Sequence, residues 1–305
     1  MIAWIRIALI VVVLSVMTLV LAPLQLLAAR RGWRLARRLP FVWHRVACPL
    51  IGLRVHVQGA PSERRPLLLV SNHQSWADIL ALGWVTELSF IAKAEVRDWP
   101  AFGLLAKLQR TVFVERAERR AVARQTQAIA ERLNGGEAIV LFAEGTTSDG
   151  NEVLPFKTAL FGAAQAALTA SGAEDMMIQP VAVAYTKANG LPLGRFGRPL
   201  VAWPGDVTLG PHLLAFLKEG AVDVEVVFGE PLRFTADSDR KRVARQAESA
   251  VARLLSTALQ GRGPGTIRPA ETANAGALAS ESERADIMIS MGREMLQDEP
   301  APHRS

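Results

Sequence analysis

The stretch 66-PLLLVSNHQSWADIL-80 ends an apolar, strand-like run on a histidine and places an aspartate five residues further on. A neutral imidazole is a suitable proton acceptor near pH 7. A carboxylate bonded to its other nitrogen fixes the tautomer and steadies the ring once it is charged. His73 and Asp78 are therefore candidates for a general base and its orienting partner. On one continuous helix, residues five apart lie about 140° apart around the axis and do not face each other. They meet if His73 sits in the turn after a strand and Asp78 in the first turn of the next helix. Ser75-Trp76-Ala77-Asp78 has the S-x-x-D form of a capping box, which supplies such a break. The same motif supports a plainer reading, with Asp78 a helix cap and His73 a loop histidine.

Other apolar runs also end on polar residues. The run 138-AIVLFAE-144 continues into Gly145-Thr146-Thr147, and 88-LSFIAK-93 ends on Lys93, ahead of Glu95, Trp99, Pro100 and Gly103. The run 111-TVFVER-116 ends on Glu115-Arg116, and 178-IQPVAVAY-185 carries Pro180. Polar strand ends of this kind are what a site built across a sheet shows. The chain has no G-x-S-x-G elbow, which removes the leading covalent alternative, an enzyme serine.

The elements that must position these residues read as α/β from residue 53 onward. Seven short strand candidates, completed by 53-LRVHVQ-58, 67-LLLVSN-72 and 222-VDVEVVFG-229, are interleaved with helical stretches. The clearest helices are 116–136, stopped by Asn134-Gly135-Gly136, and 156–172, stopped by Gly172. This pattern predicts one domain over 53–260, with a central mixed, mostly parallel sheet of about seven strands flanked by helices. Arg54 and His56 alternate with Leu53, Val55 and Val57 and read as the polar face of a strand. Residues 186–220, rich in Gly and Pro, read as a long connection, and 237–260 as a charged helix. Residues 261–305 are poor in bulky apolar side chains and read as a disordered tail.

The first 52 residues differ in kind. Residues 7–28 carry no charge and are long enough to cross a bilayer as a helix, longer than the h-region of a signal peptide. Arg6 precedes the run, while Arg30, Arg31, Arg34, Arg37 and Arg38 follow it, so the positive-inside rule places the body of the protein on the cytoplasmic side. Pro23 leaves open whether the helix spans or lies in one leaflet. Residues 32–52 mix arginines with Trp33, Phe41 and Trp43 and read as an interfacial helix, or plainly as a surface helix. The net charge of +6 suits an anionic partner such as a membrane surface, an acidic carrier protein or a phosphorylated substrate. Nucleic acid is the other anionic class, and the absence of a recognition motif argues against it. A single cysteine, Cys48, excludes an internal disulfide, and five scattered histidines argue against a structural zinc site. His44 and His212 take no assigned role.

The ordered blocks resemble one family. S-N-H-Q-S-W-A-D is similar to the N-H-x4-D block of the glycerolipid acyltransferases, the lysophosphatidic acid acyltransferase group. F-I-A-K-A-E-V-R-D-W-P-A-F-G, T-V-F-V-E-R, F-A-E-G-T and I-Q-P-V-A-V-A-Y resemble its later blocks, in the same order, over roughly residues 60–230. The resemblance implies direct acyl transfer from an acyl thioester, carried by acyl carrier protein or CoA, to a lysolipid hydroxyl, with no bound cofactor or metal. His73 is then the base and Asp78 its partner. Lys93 and Arg116, otherwise solvated strand-end charges, become candidates for anionic groups of donor or acceptor. Glu144, Gly145, Thr146 and Thr147 become the acceptor-binding loop, with Glu144 alternatively a structural carboxylate. The resemblance also implies a bacterial inner-membrane enzyme with its active domain on the cytoplasmic side.

Two positions depart from the family pattern F-P-E-G-T-R-S. Ala143 stands at the proline and Thr147 at the arginine, which in the family is implicated in binding the acceptor phosphate. A hydroxyl cannot replace a bidentate guanidinium clamp. The T-S-D-G ending and the segment G-R-P-L-V-A-W-P-G-D-V-T-L-G-P-H-L-L resemble the bacterial branch that acylates lyso-ornithine lipid, whose head group is an amino acid. Lysophosphatidic acid is the alternative acceptor, or one enzyme uses both, and a non-catalytic lipid-binding protein is the alternative class. Retention of both His73 and Asp78 favours the enzyme.

Overall fold

The computed structural model describes residues 1–114, 119–205 and 207–261. Two helices, α1 (Ile2–Arg30) and α2 (Leu35–Ile51), lead into β1 (Leu53–Gln58), β2 (Leu67–Ser71), α3 (Ala77–Val85) and β3 (Leu88–Lys93). Next come α4 (Phe102–Leu108), β4 (Val112–Val114), α5 (Arg119–Asn134), β5 (Ala138–Phe142), α6 (Thr158–Ser171) and β6 (Asp175–Ala188). The described chain closes with β7 (Leu191–Pro192), α7 (Leu209–Lys218), β8 (Val222–Phe228), β9 (Leu232–Thr235) and α8 (Arg240–Leu259). The sheet has nine strands, in the order β1-β8-β6-β2-β5-β3-β4, with β7 and β9 also paired to β6. Strands β2, β3, β4 and β5 pair in parallel, as do β2 with β6 and β1 with β8, whereas β6 meets β7, β8 and β9 antiparallel.

The predicted mixed, mostly parallel sheet is therefore present, with β7 and β9 in addition to the seven expected strands. A strand of two residues, Leu191–Pro192, has no periodicity to read. The long connection expected over 186–220 contains α7, whose Gly210 and Pro211 lie in its first turn, where Pro is tolerated. The tail 261–305 lies outside the described residues beyond Gly261.

Side chains alternate along each strand, so the sheet separates two apolar layers. Leu67 and Leu69 of β2 face one layer with residues of α1, α2, α3 and α7. Leu68 and Val70 face the other, formed by α5, α6 and α8. Ile7, Ile10, Cys48 and Ile51 belong to the first layer, so α1 and α2 pack into the same core as the sheet. Two polar anchors tie α1 along the domain. The Arg6 guanidinium donates to the carbonyls of Ile51 and Leu217 at 2.9 Å each, and to that of Glu219. The Gln25 amide donates to those of Ala36 and Leu108 at 2.9 and 2.7 Å. At 1.5 Å per residue these anchors are about 28 Å apart. The helix is continuous through Pro23, and its outer face exposes Ile5, Leu9, Val12, Val16, Leu19 and Val20. It is long and apolar enough to cross a membrane, the one such helix among the described residues.

Candidate active site

The chain leaves β2 at Ser71 and turns before α3, and the site is assembled in that turn. Asn72 is fully buried, and its amide clasps the backbone of β6, donating to the Val183 carbonyl at 3.0 Å and accepting the Val183 N–H at 2.9 Å. Gln74, two residues on and also buried, donates to the same Val183 carbonyl. These bonds hold the turn from one side. From the other, the Ser148 N–H donates to the His73 carbonyl at 2.8 Å, and the Trp203 N–H to that of Gln74 at 2.6 Å.

His73 Nδ1 lies 2.8 Å from Asp78 Oδ2. The same oxygen accepts the N–H groups of Gln74 at 2.7 Å and Ser75 at 2.9 Å. Asp78 Oδ1 accepts the Tyr185 hydroxyl at 2.9 Å. Asp78 Oδ2 accepts the Ser75 N–H, as the second half of a capping box does, and bonds His73 with the same oxygen, so the carboxylate is more than a helix cap. A carboxylate can only accept, so Nδ1 carries the proton of this bond, and the tautomer of a neutral ring held this way has its lone pair on Nε2. The imidazole stacks on Phe142 at 3.9 Å between ring centroids. Asp78 has no exposed surface, and the side chain of His73 retains 19%. Burial and the facing Asp78 charge push the Tyr185 phenol well above its ordinary value, so it remains a donor.

Glu144 lies in the turn that follows β5, two residues past Phe142. It is fully buried, and its Oε1 accepts the His73 N–H at 3.0 Å. Burial above all, with Asp78 and Glu248 adding repulsion, pushes its carboxyl up to about 8. This geometry matches the structural-carboxylate alternative for Glu144, since the group supports the His73 backbone and has no open surface.

An apolar cavity of about 700 Å³ is lined by His73, by Ile10, Leu14 and Leu21 of α1, and by Leu39 and Ala47 of α2. Lys93, Gly145, Thr146 and Thr147 line it too. Such a space suits an apolar chain with a few polar groups at one end. Arg116 lies outside the described residues. His44 takes no part in the pair: it is buried against Gln109 at 2.7 Å, with burial pushing its pKa down to about 4. His212 accepts the Trp76 indole N–H at 3.1 Å, and His56 bonds Asp223 at 2.8 Å across β1 and β8. No group of metal-ligating side chains is present among the described residues. Sequence reasoning missed Asn72, Phe142 and Tyr185. The signal for Tyr185 was available: it is the chain's only tyrosine, set in an apolar strand, and a buried phenol needs a partner.

Residues 53–184 match the family model described as Acyltransferase. The lyso-ornithine lipid O-acyltransferase of Brucella abortus is 56% identical over 264 residues, covering 86% of this chain and 98% of that protein. The enzyme of the same name from Rhizobium meliloti is 49% identical, covering 86% and 90%. The 1-acyl-sn-glycerol-3-phosphate acyltransferase of Neisseria gonorrhoeae is 41% identical, covering 37% of this chain and 44% of its own length. The crystal structure of the 1-acyl-sn-glycerophosphate (LPA) acyltransferase PlsC from Thermotoga maritima superposes with a TM-score of 0.54 at 23% identity, covering 83% of this chain and 96% of that one, which speaks to the fold. Near full-length identity of this order to two acyltransferases makes the chain a member of the acyltransferase family, an enzyme of lipid biosynthesis that transfers an acyl group.

Proposed function

We propose that this enzyme is a membrane-associated lyso-ornithine lipid O-acyltransferase. The observation that carries the reading is its identity, over nearly their whole length, to two enzymes of that name. Thr147, on the cavity wall where the phosphate-acylating branch carries arginine, supports it. Asp149, two residues on and exposed, has its carboxyl held below its ordinary value by the Asn151 amide and backbone N–H, and adds a negative charge to the same loop.

In this reading His73 Nε2 takes the proton of the acceptor hydroxyl as its oxygen attacks the thioester carbonyl. A C–O bond forms, the C–S bond breaks, and the proton passes from the imidazolium to the departing thiolate. Asp78 keeps Nδ1 protonated and stabilises the imidazolium. Lys93, at the cavity wall, offers a cation for an anionic part of either substrate. The apolar cavity takes an acyl chain, and the outer face of α1 lies in the membrane leaflet rather than crossing it, because Arg6 and Gln25 bind that helix to the domain. The donor is an acyl thioester of acyl carrier protein or CoA, and the working face is cytoplasmic at the inner membrane.

The direct test supplies purified enzyme with lyso-ornithine lipid or lysophosphatidic acid and one acyl donor, and follows product by mass spectrometry. Ornithine lipid should form, with His73→Ala reducing turnover by about 10²–10⁴-fold or more. Exclusive acylation of lysophosphatidic acid would reject the proposed acceptor. Normal turnover by a folded His73→Ala variant would reject the base.

A further inference from the structure

At the end of the sheet opposite His73, where β3 and β5 begin, several guanidinium groups gather around one buried carboxylate. Glu137 is 6% exposed; its Oε1 accepts Arg110 Nη2 at 2.7 Å and its Oε2 accepts the Ser89 hydroxyl at 2.9 Å. Arg37 Nε lies 3.4 Å from Oε1, and Arg132 Nη1 lies 3.7 Å from Oε2 while donating to Ser89 Oγ at 2.9 Å. Arg65 joins them through the carbonyl of Gly136, the residue before Glu137. A cavity of about 370 Å³ opens here, walled by Arg37, Arg65, Arg110, Glu137 and the ring of Phe41, with Glu87 the second acid on its lining. Three guanidinium groups on the lining, with Arg132 behind them on Glu137 and Ser89, face two carboxylates and leave a local excess of positive charge.

This excess is more than a salt-bridge lattice requires. Each guanidinium carries five N–H donors, and a carboxylate has about four acceptor positions, one of them used here by Ser89. The Arg132 guanidinium is pushed down to about 10 by burial and by the neighbouring Arg110 charge, a repulsion an added anion would relieve. Arg110 adopts the left-handed conformation, at φ 62°, that a side chain other than glycine rarely takes. Planar, bidentate donors around an open space suit phosphate oxygens. The site adjoins the membrane-facing elements: Arg37 and Phe41 belong to α2, whose Val42 and Val46 are exposed, and Trp33 stands exposed just before it. An anionic bilayer surface attracts basic groups placed there.

We propose that this pocket is a second, non-catalytic lipid site that takes the phosphate of an anionic phospholipid and orients the enzyme on the membrane. It is separate from the acceptor site and does not depend on which lysolipid is acylated. The test uses the full chain in detergent micelles, with retained lipid counted by native mass spectrometry in phosphatidylglycerol or phosphatidylcholine. The wild type should retain one phosphatidylglycerol in preference to phosphatidylcholine. Arg37→Gln/Arg65→Gln leaves the Arg110–Glu137 bond intact and should weaken that preference by about tenfold or more, the usual worth of a charge-assisted bond. Arg31→Gln/Arg34→Gln, which removes equal charge outside the pocket, should retain it. Equal retention of phosphatidylglycerol by wild type and the folded pocket variant would overturn the proposal. If the double variant unfolds, Arg65→Gln alone, on an exposed side chain, is read in the same way. A third arm adds inorganic phosphate at constant ionic strength. Thermal protection by phosphate alone, with both lipids retained equally, would make this a free-phosphate site and reject the lipid assignment.

Discussion

The Tyr185 hydroxyl donates to Asp78 Oδ1 at 2.9 Å, joining β6 to the first turn of α3 across 107 positions of sequence. It fills the face of the carboxylate that His73, Gln74 and Ser75 leave open, so the pair is oriented from both sides of the turn. Tyr185→Phe leaves Asp78 Oδ1 buried without a donor. Loss of a hydrogen bond to a charged group costs about 1.5–3 kcal/mol. The variant should show a lower melting temperature, and its kcat should fall with little change in KM, since the phenol touches Asp78 and not the cavity. A variant whose kcat matches wild type would show that His73 and the two backbone N–H groups suffice to set the carboxylate.

Asp78→Asn isolates the charge. The Gln74 and Ser75 N–H groups converge on Oδ2 at 2.7 and 2.9 Å, so an amide in this site must present its oxygen there and its NH2 toward Tyr185. That orientation keeps Nδ1 of His73 protonated and removes only the negative charge facing the developing imidazolium. One unit charge at about 4 Å is worth about 4 kcal/mol at an effective dielectric of 20. The expected loss in kcat is about 10³-fold, with the His73 tautomer unchanged by ¹⁵N NMR. A proton found on Nε2 instead would mean the amide has turned over.

How much of this was legible beforehand depended on range. His73 and Asp78 are five residues apart, a spacing that alone would not bring them together, and the strand-then-cap pattern between them is local, so a short window of sequence contained the condition for their meeting. Tyr185 and Asn72 act through β6, and the adjacency of β2 to β6 is a property of strand order that no short window contains. Glu144 was legible as a residue but not as a placement. The motif marks a carboxylate, and only the fold puts it beneath the His73 N–H with no open surface. The helix α1 was recognised by length and apolarity. That its two faces differ, one packed and one exposed, was hidden because both are aliphatic; Arg6, Thr18 and Gln25, the polar side chains bonded to the rest of the domain, mark the packed side.

Glu144 gives the site a pH signature. Its folded carboxyl titrates near 8, against an ordinary value of 4.5, because burial disfavours the anion. A raised acid binds its proton more tightly in the folded state, so its contribution to stability is full below about 4.5 and is lost as pH rises toward 8. Glu144→Gln stays neutral throughout and still offers an oxygen to the His73 N–H. The stability of wild type minus that of Glu144→Gln should therefore fall steadily between pH 5 and 8, by on the order of a few kcal/mol. Chemical denaturation at several pH values measures it. A difference that stays flat over this range would show that Glu144 is ionised in the folded protein.

Thr147 tests how the acceptor is read. It lines the same cavity as His73, and it stands where the resembled F-P-E-G-T-R-S pattern has arginine. The loop around it is fixed by the Ser148 N–H bond to the His73 carbonyl at 2.8 Å, so a longer side chain at 147 starts from a set place beside the His73 turn. An arginine there could form charge-assisted bonds with phosphate oxygens, worth about 1.5–3 kcal/mol, or roughly 10–100-fold. Against an ornithine head group it sets a second cation beside an amine, and like charges in a partly dry site repel. Thr147→Arg should therefore raise kcat/KM for lysophosphatidic acid relative to lyso-ornithine lipid, both measured with one acyl donor. Asp149, two residues away and exposed, has a carboxyl held below its ordinary value and is available to pair with the new guanidinium, which would hold the gain toward the lower end of that range. Thr147→Arg combined with Asp149→Asn should release that restraint and shift the ratio further. An unchanged ratio in both folded variants would show that this loop does not read the head group, leaving discrimination to Lys93 or another cation at the cavity.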